Sequence, residues 1–194
     1  MYKNLKFILL LLLLLSSFQS QSFAQAGLQV YSGISLATNS NEAITPNGTA
    51  HKGYHLGADA RLNSGNMYFI IGGQFHAIEY IGVSDGSFFS VNENMNWGKL
   101  RAGLGFNVIN IIEEKIALRA KVLGSIASIL KVPEVPSAPY QNYNSGTAGA
   151  VLGVGCDLLA FTLDVEYEKG FFNAVNMVEG TEFDFWTVSV GVRF

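Results

Sequence analysis

The last dozen residues, FDFWTVSVGVRF, alternate strictly in character. Trp186, Val188, Val190, Val192 and Phe194 share one face of an extended strand, and Thr187, Ser189, Gly191 and Arg193 share the other. The same period-two pattern recurs upstream and predicts eight strands. The first, Leu28 to Ala37, gathers Leu28, Val30, Ile34 and Leu36 on one face. The second, Gly53 to Asn63, sets Tyr54, Leu56, Ala58, Ala60 and Leu62 against His55, Gly57, Asp59 and Arg61. The third, Met67 to about Ala77, sets Phe69, Ile71 and Phe75 against Gln74 and His76. The fourth, about Met95 to Val108, opposes Leu100, Ala102, Leu104 and Phe106 to Lys99, Arg101, Gly103 and Gly105. The fifth, Lys115 to about Leu130, opposes Ile116, Leu118, Ala120 and Val122 to Arg119 and Lys121. The sixth, Thr147 to Asp157, is glycine-rich. The seventh, Phe161 to Glu168, opposes Phe161, Leu163, Val165 and Tyr167 to Thr162, Asp164 and Glu166. The terminal strand is the eighth.

The links between strands alternate in length. Those at Asn63–Asn66, Glu113–Glu114 and Leu159–Ala160 are short, and the four between them run to about 10 to 17 residues. An antiparallel meander that crosses a membrane produces this rhythm, with apolar faces toward lipid and polar faces inward. The predicted fold is all-β: an eight-stranded antiparallel up-and-down transmembrane β-barrel with short periplasmic turns and long extracellular loops.

The N-terminus changes the picture by supplying export. Lys3 and Lys6 precede an apolar run from Phe7 to Leu15, with small residues following at Ser22, Ala24 and Ala26. That is the pattern of a cleaved secretory signal. The apolar run is about half of the roughly 20 residues that a spanning helix needs. Cleavage fits after Ala24 or Ala26, with Ala24 favoured, so residues 1–24 are expected to leave and 25–194 to form one barrel domain. The chain is 49% hydrophobic. No second apolar run could span as a helix; the apolar residues are spread through short strands, as in membrane barrels. Loss of Lys3 and Lys6 would take the net charge from −3 to −5. With no basic surplus, a nucleic-acid partner is not expected. Cys156 is the single cysteine, so no internal disulfide can form.

The predicted inner face is charged. Asp59, Arg61, Lys99, Arg101, Arg119, Lys121, Asp164, Glu166 and Glu168 all fall on it. Eight strands leave room only for side chains, so these residues are expected to meet as an ion-pair network that fills the interior. Pairing Phe106 with Leu118 would set Gly105 against Arg119 and Gly103 against Lys121. A tight turn at Leu159–Ala160 would set Gly155 against Asp164 and Gly153 against Glu166. Glycine would then leave space for long charged side chains.

Candidate chemistry is sparse. Pairing Asn63 with Asn66 makes His55 and His76 diagonal neighbours, but a zinc site needs three or four ligands and no third stands at ligand spacing. No G-x-S-x-G elbow occurs, and Ser189 has no histidine near it in sequence. Neither an enzyme nor a cofactor is expected. Phe88, Phe89, Tyr140 and Tyr143 lie in the middle of long loops and are candidate contacts for a protein partner. Tyr80, Phe171 and Phe172 suit an interfacial aromatic girdle.

The export signal, the alternating strands and the terminal W-x-V-x-V-x-V-x-F together resemble the small outer-membrane β-barrel proteins, OmpX and the OmpA barrel among them. The resemblance extends to the Bacteroidota "outer membrane protein beta-barrel" group, PorT-like proteins included. It implies a non-enzymatic outer-membrane protein surrounded by lipid and lipopolysaccharide and acting through its loops. It also implies that Trp186, Val188, Val190, Val192 and Phe194 are the signal read by the barrel-assembly machinery. An accessory subunit of a secretion or transport complex and a lipid-modifying barrel enzyme are the alternatives it admits.

Overall fold

The structure is a computed structural model and describes residues 26–39, 41, 50–62, 66–79, 94–112, 116–132, 144, 146–175 and 178–194. The expected leader (1–24), the mid-loop aromatics Phe88, Phe89, Tyr140 and Tyr143, and Tyr80 lie outside these residues.

Eight strands, β1 (Ala26–Asn39), β2 (His51–Leu62), β3 (Met67–Glu79), β4 (Asn94–Ile112), β5 (Ile116–Lys131), β6 (Gly146–Leu158), β7 (Phe161–Gly170) and β8 (Phe183–Arg193), follow the chain in order. Each pairs antiparallel with the next, and β8 returns to β1, so the sheet closes on itself. Closure removes both sheet edges along the shared height of the barrel. Phe194 completes the seam: its backbone N–H donates to the Leu28 carbonyl at 2.8 Å and its carbonyl accepts from Leu28 at 3.2 Å.

The registers fix the geometry. A path across the strands from Val30 passes Ala58, Gly73, Leu100, Ile126 and Ala148. The remaining registers bring it back to β1 about ten residues above its start. For eight strands that stagger corresponds to a tilt of roughly 40° and an interior wide enough for side chains but not for a channel. The β6–β7 pairing matches the sequence reading, with Gly155 opposite Asp164 and Gly153 opposite Glu166. Two other registers differ from it. Phe106 faces Ala120 rather than Leu118, and His55 faces His76 rather than Gln74. Both slips are of two residues, which keeps every side chain on its face. The β4–β5 slip has a visible cause in register shifts at Asn107/Ile109 and Asn110/Ile112, which put extra residues into β4.

The outer face is apolar from end to end. Leu28, Leu56, Ile71, Leu100, Val122, Leu152, Leu163, Val188 and Val190 all point outward and are exposed. Converted at about 3.3 Å per residue and the strand tilt, this band is roughly 25 Å tall. Phe69, Phe106, Phe161 and Phe194 ring its turn end. Tyr167 and Trp186, their rings 4.9 Å apart, mark its loop end, with exposed Phe171 and Phe172 beyond.

Close approach requires glycine at Gly33, where β1 meets β8. A Cβ there would lie 2.8 Å from the Ser189 Cα and closer still to the Val188 carbonyl, both backbone atoms that cannot swing aside. Gly33→Ala is expected to cost about 1–3 kcal/mol, read as a lower urea midpoint for the barrel refolded in lipid.

Candidate functional site: the sealed, charged interior

Alternation delivers ten ionised side chains to the inside. β2 supplies Asp59 and Arg61, β4 Lys99 and Arg101, β5 Arg119 and Lys121, β6 Asp157, and β7 Asp164, Glu166 and Glu168; none is more than 9% exposed. Five are acids and five are bases. Isolated burial of any of them would be costly, so pairing and hydrogen bonding decide whether the interior is stable.

The pairs form a chain that climbs the barrel. At the turn end Asp157 holds three guanidinium groups: Arg61 at 3.0 Å, Arg119 at 2.8 Å and the half-buried Arg193 at 3.0 Å. Arg119 also reaches Asp164 at 3.2 Å, and Lys121 reaches the other Asp164 oxygen at 3.0 Å. Lys121 bridges on to Glu166, which Arg101 meets at 2.6 Å. Arg101 turns its second arm to Asp59 and stacks 5.1 Å from the Tyr31 ring centroid. Higher up, Lys99 pairs with Glu168, which also accepts from the Ser125 hydroxyl at 2.6 Å. The glycines leave the space these side chains need: a Cβ on Gly153 would sit 2.8 Å from the Lys121 Cε, and one on Gly155 would overlap Asp164 Oδ1.

Toward the loops the interior turns apolar. Lys99 Nζ lies 3.4 Å from the Phe185 ring centroid. Above it, Trp97 packs edge-on against Phe183 and Phe185, with centroids 5.6 and 5.9 Å apart. Ala37, Ile78, Met95 and Ala127 join them, and Ala174 and Val175 of the β7–β8 loop close over the top. Hydrogen bonds pin that loop. Asn144 donates from its backbone N–H to the Ala174 carbonyl at 2.7 Å, and Ala174 donates to the Thr181 carbonyl at 3.0 Å. The polar interior is therefore capped by a greasy lid.

Between charges and lid lies a histidine cluster. His55 and His76 stack with centroids 5.2 Å apart. Ser35 Oγ is 2.9 Å from His55 Nδ1 and 3.1 Å from His76 Nδ1. His55 Nε2 is 2.8 Å from Ser189 Oγ, and His76 Nε2 is 3.1 Å from Gln74 Oε1. The fold thus brings a histidine to Ser189 although none is close in sequence. Both residues are sealed inside the barrel, and the second nitrogen of His55 meets a hydroxyl rather than a carboxylate. Among the described residues no group of three or more metal-ligating side chains converges.

All nine of the charged residues singled out in the sequence point inward and take part. The sequence reading missed Asp157, the acid that makes the two signs equal, although it shares the parity of Gly153 and Gly155 on β6. It also missed Trp97 and Phe185, whose parity places them on the charged face. Trp186, Val188 and Val190 face outward as one stripe, and Phe194 is 76% exposed.

No family model matches the chain, and no curated protein is significantly similar to it in sequence. Solved structures do resemble it. Neisserial surface protein A aligns with a TM-score of 0.54 at 13% identity, covering 87% of this chain and 95% of its own. OprG from Pseudomonas aeruginosa, described as an outer membrane protein, aligns at 0.46 and 11% identity, over 88% and 96%. The Yersinia pestis outer membrane protein Ail aligns at 0.39 and 16% identity, over 84% and 99%. What this chain shares with the first of them is the fold, a closed eight-stranded antiparallel barrel.

Proposed function

We propose that the protein is an integral outer-membrane barrel with a plugged interior, acting through its surface rather than by conduction or catalysis. The observation that carries the reading is the outer face: an apolar band with phenylalanines around its turn end and Tyr167, Trp186, Phe171 and Phe172 at its loop end, around a core of ion pairs. A water-soluble barrel has the opposite polarity, and a lipocalin-type cup would have an apolar inside. A band of that height with aromatic residues at both ends suits a bilayer. The resemblance to Neisserial surface protein A supports the architecture, and the alternating links suit turns on the periplasmic side and loops outside.

The interior supports a structural rather than a transporting role. Its charged side chains pair with one another across the interior, and Trp97, Phe183, Phe185, Ala174 and Val175 pack together at its loop end. Among the described residues no acid orients the Ser189–His55 pair, and both side chains are buried. That leaves the loops, including Phe88, Phe89, Tyr140 and Tyr143, and the lipid-facing wall as the working surfaces. Lipopolysaccharide would surround the upper girdle, and the stripe from Trp186 to Phe194 would serve as the assembly signal.

Fractionation and gel migration test this. The protein is expected in the outer-membrane fraction, to run faster in detergent gels unheated than boiled, and to give no steady current in planar bilayers. Recovery from the soluble periplasm would overturn the membrane reading, and stable unitary conductance would overturn the plugged interior.

A further inference from the structure

Five polar side chains form one continuous chain inside the loop half of the barrel, and the strand registers set it up. Gly33 pairs with His55 on one side and Ser189 on the other, and His76 faces His55 from β3. With no side chain on Gly33, the His55 ring reaches over β1 and brings its Nε2 to 2.8 Å from Ser189 Oγ. Ser35, further up β1, stands 2.9 and 3.1 Å from the Nδ1 atoms of His55 and His76. His76 Nε2 ends the chain 3.1 Å from Gln74 Oε1. All five residues are buried.

Hydrogen-bond roles fix where the protons lie. The Gln74 amide oxygen accepts, so His76 Nε2 is the donor and Nδ1 of the neutral ring is an acceptor. Ser35 has one hydroxyl proton; it donates it to His76 and accepts from His55 Nδ1. His55 Nε2 then accepts from the Ser189 hydroxyl. Two ring protons thus satisfy all four ring nitrogens, with opposite tautomers on the two rings. A further proton turns an acceptor nitrogen into a donor facing a hydroxyl proton, and a link breaks. Tyr31 faces the pair from β1, Lys99 and Arg101 from β4, Lys121 from β5 and Glu166 from β7. Glu166 is already held by Arg101 and Lys121, and Glu168 by Lys99. His76 also supports the apolar cap: its ring lies edge-on to Phe185 at 5.6 Å, and Phe185 packs with Trp97, Ala174 and Val175.

We propose that Ser189, His55, Ser35, His76 and Gln74 form an acid-released latch, which ties β8, β2, β1 and β3 together beneath the cap at neutral pH and frees the cap when a histidine takes up a proton. The sign follows from proton counting. The latched rings hold one proton each, whereas rings released to water titrate at about 6.5. Release therefore takes up protons, so the latch holds above that pH and weakens as pH falls below it.

The test uses the full barrel refolded in lipid nanodiscs, with Trp186→Phe so that Trp97 is the remaining tryptophan. Slower migration after boiling checks the fold separately. At about pH 7.5, nitrogen-15 spectra of the imidazoles are expected to show His55 and His76 neutral and in opposite tautomers. Acrylamide quenching of Trp97 should rise at least threefold between about pH 7.5 and about pH 4.5, and recover on neutralisation. Neither readout needs a histidine variant. Combining His55→Gln with His76→Gln should abolish the pH response. The same tautomer on both rings, a Trp97 that stays shielded at the lower pH, or an equal rise in the double variant would overturn the proposal.

Discussion

Arg101→Met is expected to destabilise the folded barrel by about 3–5 kcal/mol, the cost of leaving buried charges without their partner. Among the described residues Arg101 is the cation paired with Asp59; it also meets Glu166 at 2.6 Å, and it is 3% exposed. Methionine fills much of the same volume, so packing is largely conserved and the loss reports on charge. Glu166 keeps Lys121; Asp59 is left with the Tyr31 hydroxyl at 3.2 Å. The measurement is the urea unfolding midpoint after refolding into lipid vesicles. Adding Asp59→Asn should recover a large part of the loss, because the orphaned charge is then gone. A change below about 1 kcal/mol for Arg101→Met, or no recovery in the double variant, would show that water already solvates the interior and that the plug is not dry.

The second large effect belongs to the opposite face. Val190 sits near mid-height of the apolar band and is 59% exposed. In a bilayer, arginine at that depth costs about 2–4 kcal/mol, falling toward 0–1 near the interfaces. Val190→Arg should therefore lose that amount in vesicles, while Trp186→Arg, at the loop-end girdle, should lose less despite removing a larger ring from the lipid. If the barrel instead stood in water, an exposed Val→Arg change would lie within about 0.5 kcal/mol. Equal, small losses at both positions would therefore remove the basis for the membrane assignment.

Most of the architecture was legible in the sequence because a two-residue period is hard to mistake once it recurs in eight segments. The period also explains why errors of register were harmless. Pairing Phe106 with Leu118 instead of Ala120 misplaces contacts along the axis, yet leaves each residue on the correct face. The cause of that error, extra residues near Val108 and Ile111, has no local signature, since bulges depend on how β4 must bend to stay with β5. The charged face was readable residue by residue, with Asp157 overlooked at the end of a glycine-rich strand. Trp97 and Phe185 were harder. An aromatic residue in a membrane strand suggests the lipid boundary, and only their shared parity with Lys99 and Thr187 reveals that they face in. The Ser189–His55 contact joins residues 134 apart and follows from closure of β8 onto β1, which no local pattern encodes.

The placement of the charges also bears on how the molecule can be built. The four cations of β4 and β5 find their acids on β6 and β7 and, for Arg101, on β2 as well. A sheet that had inserted only as far as β5 would carry Arg61, Lys99, Arg101, Arg119 and Lys121 into the bilayer, with Asp59 as the sole inward acid among the described residues. At about 2.5–3.5 kcal/mol for each exposed charge in hydrocarbon, such a half-built sheet would be penalised by roughly 10 kcal/mol. If the barrel spans a membrane as proposed, strand-by-strand entry is therefore disfavoured, and the acidic strand is expected to arrive before or together with the basic hairpin, so that neutralisation, curling and insertion take place as a single cooperative event.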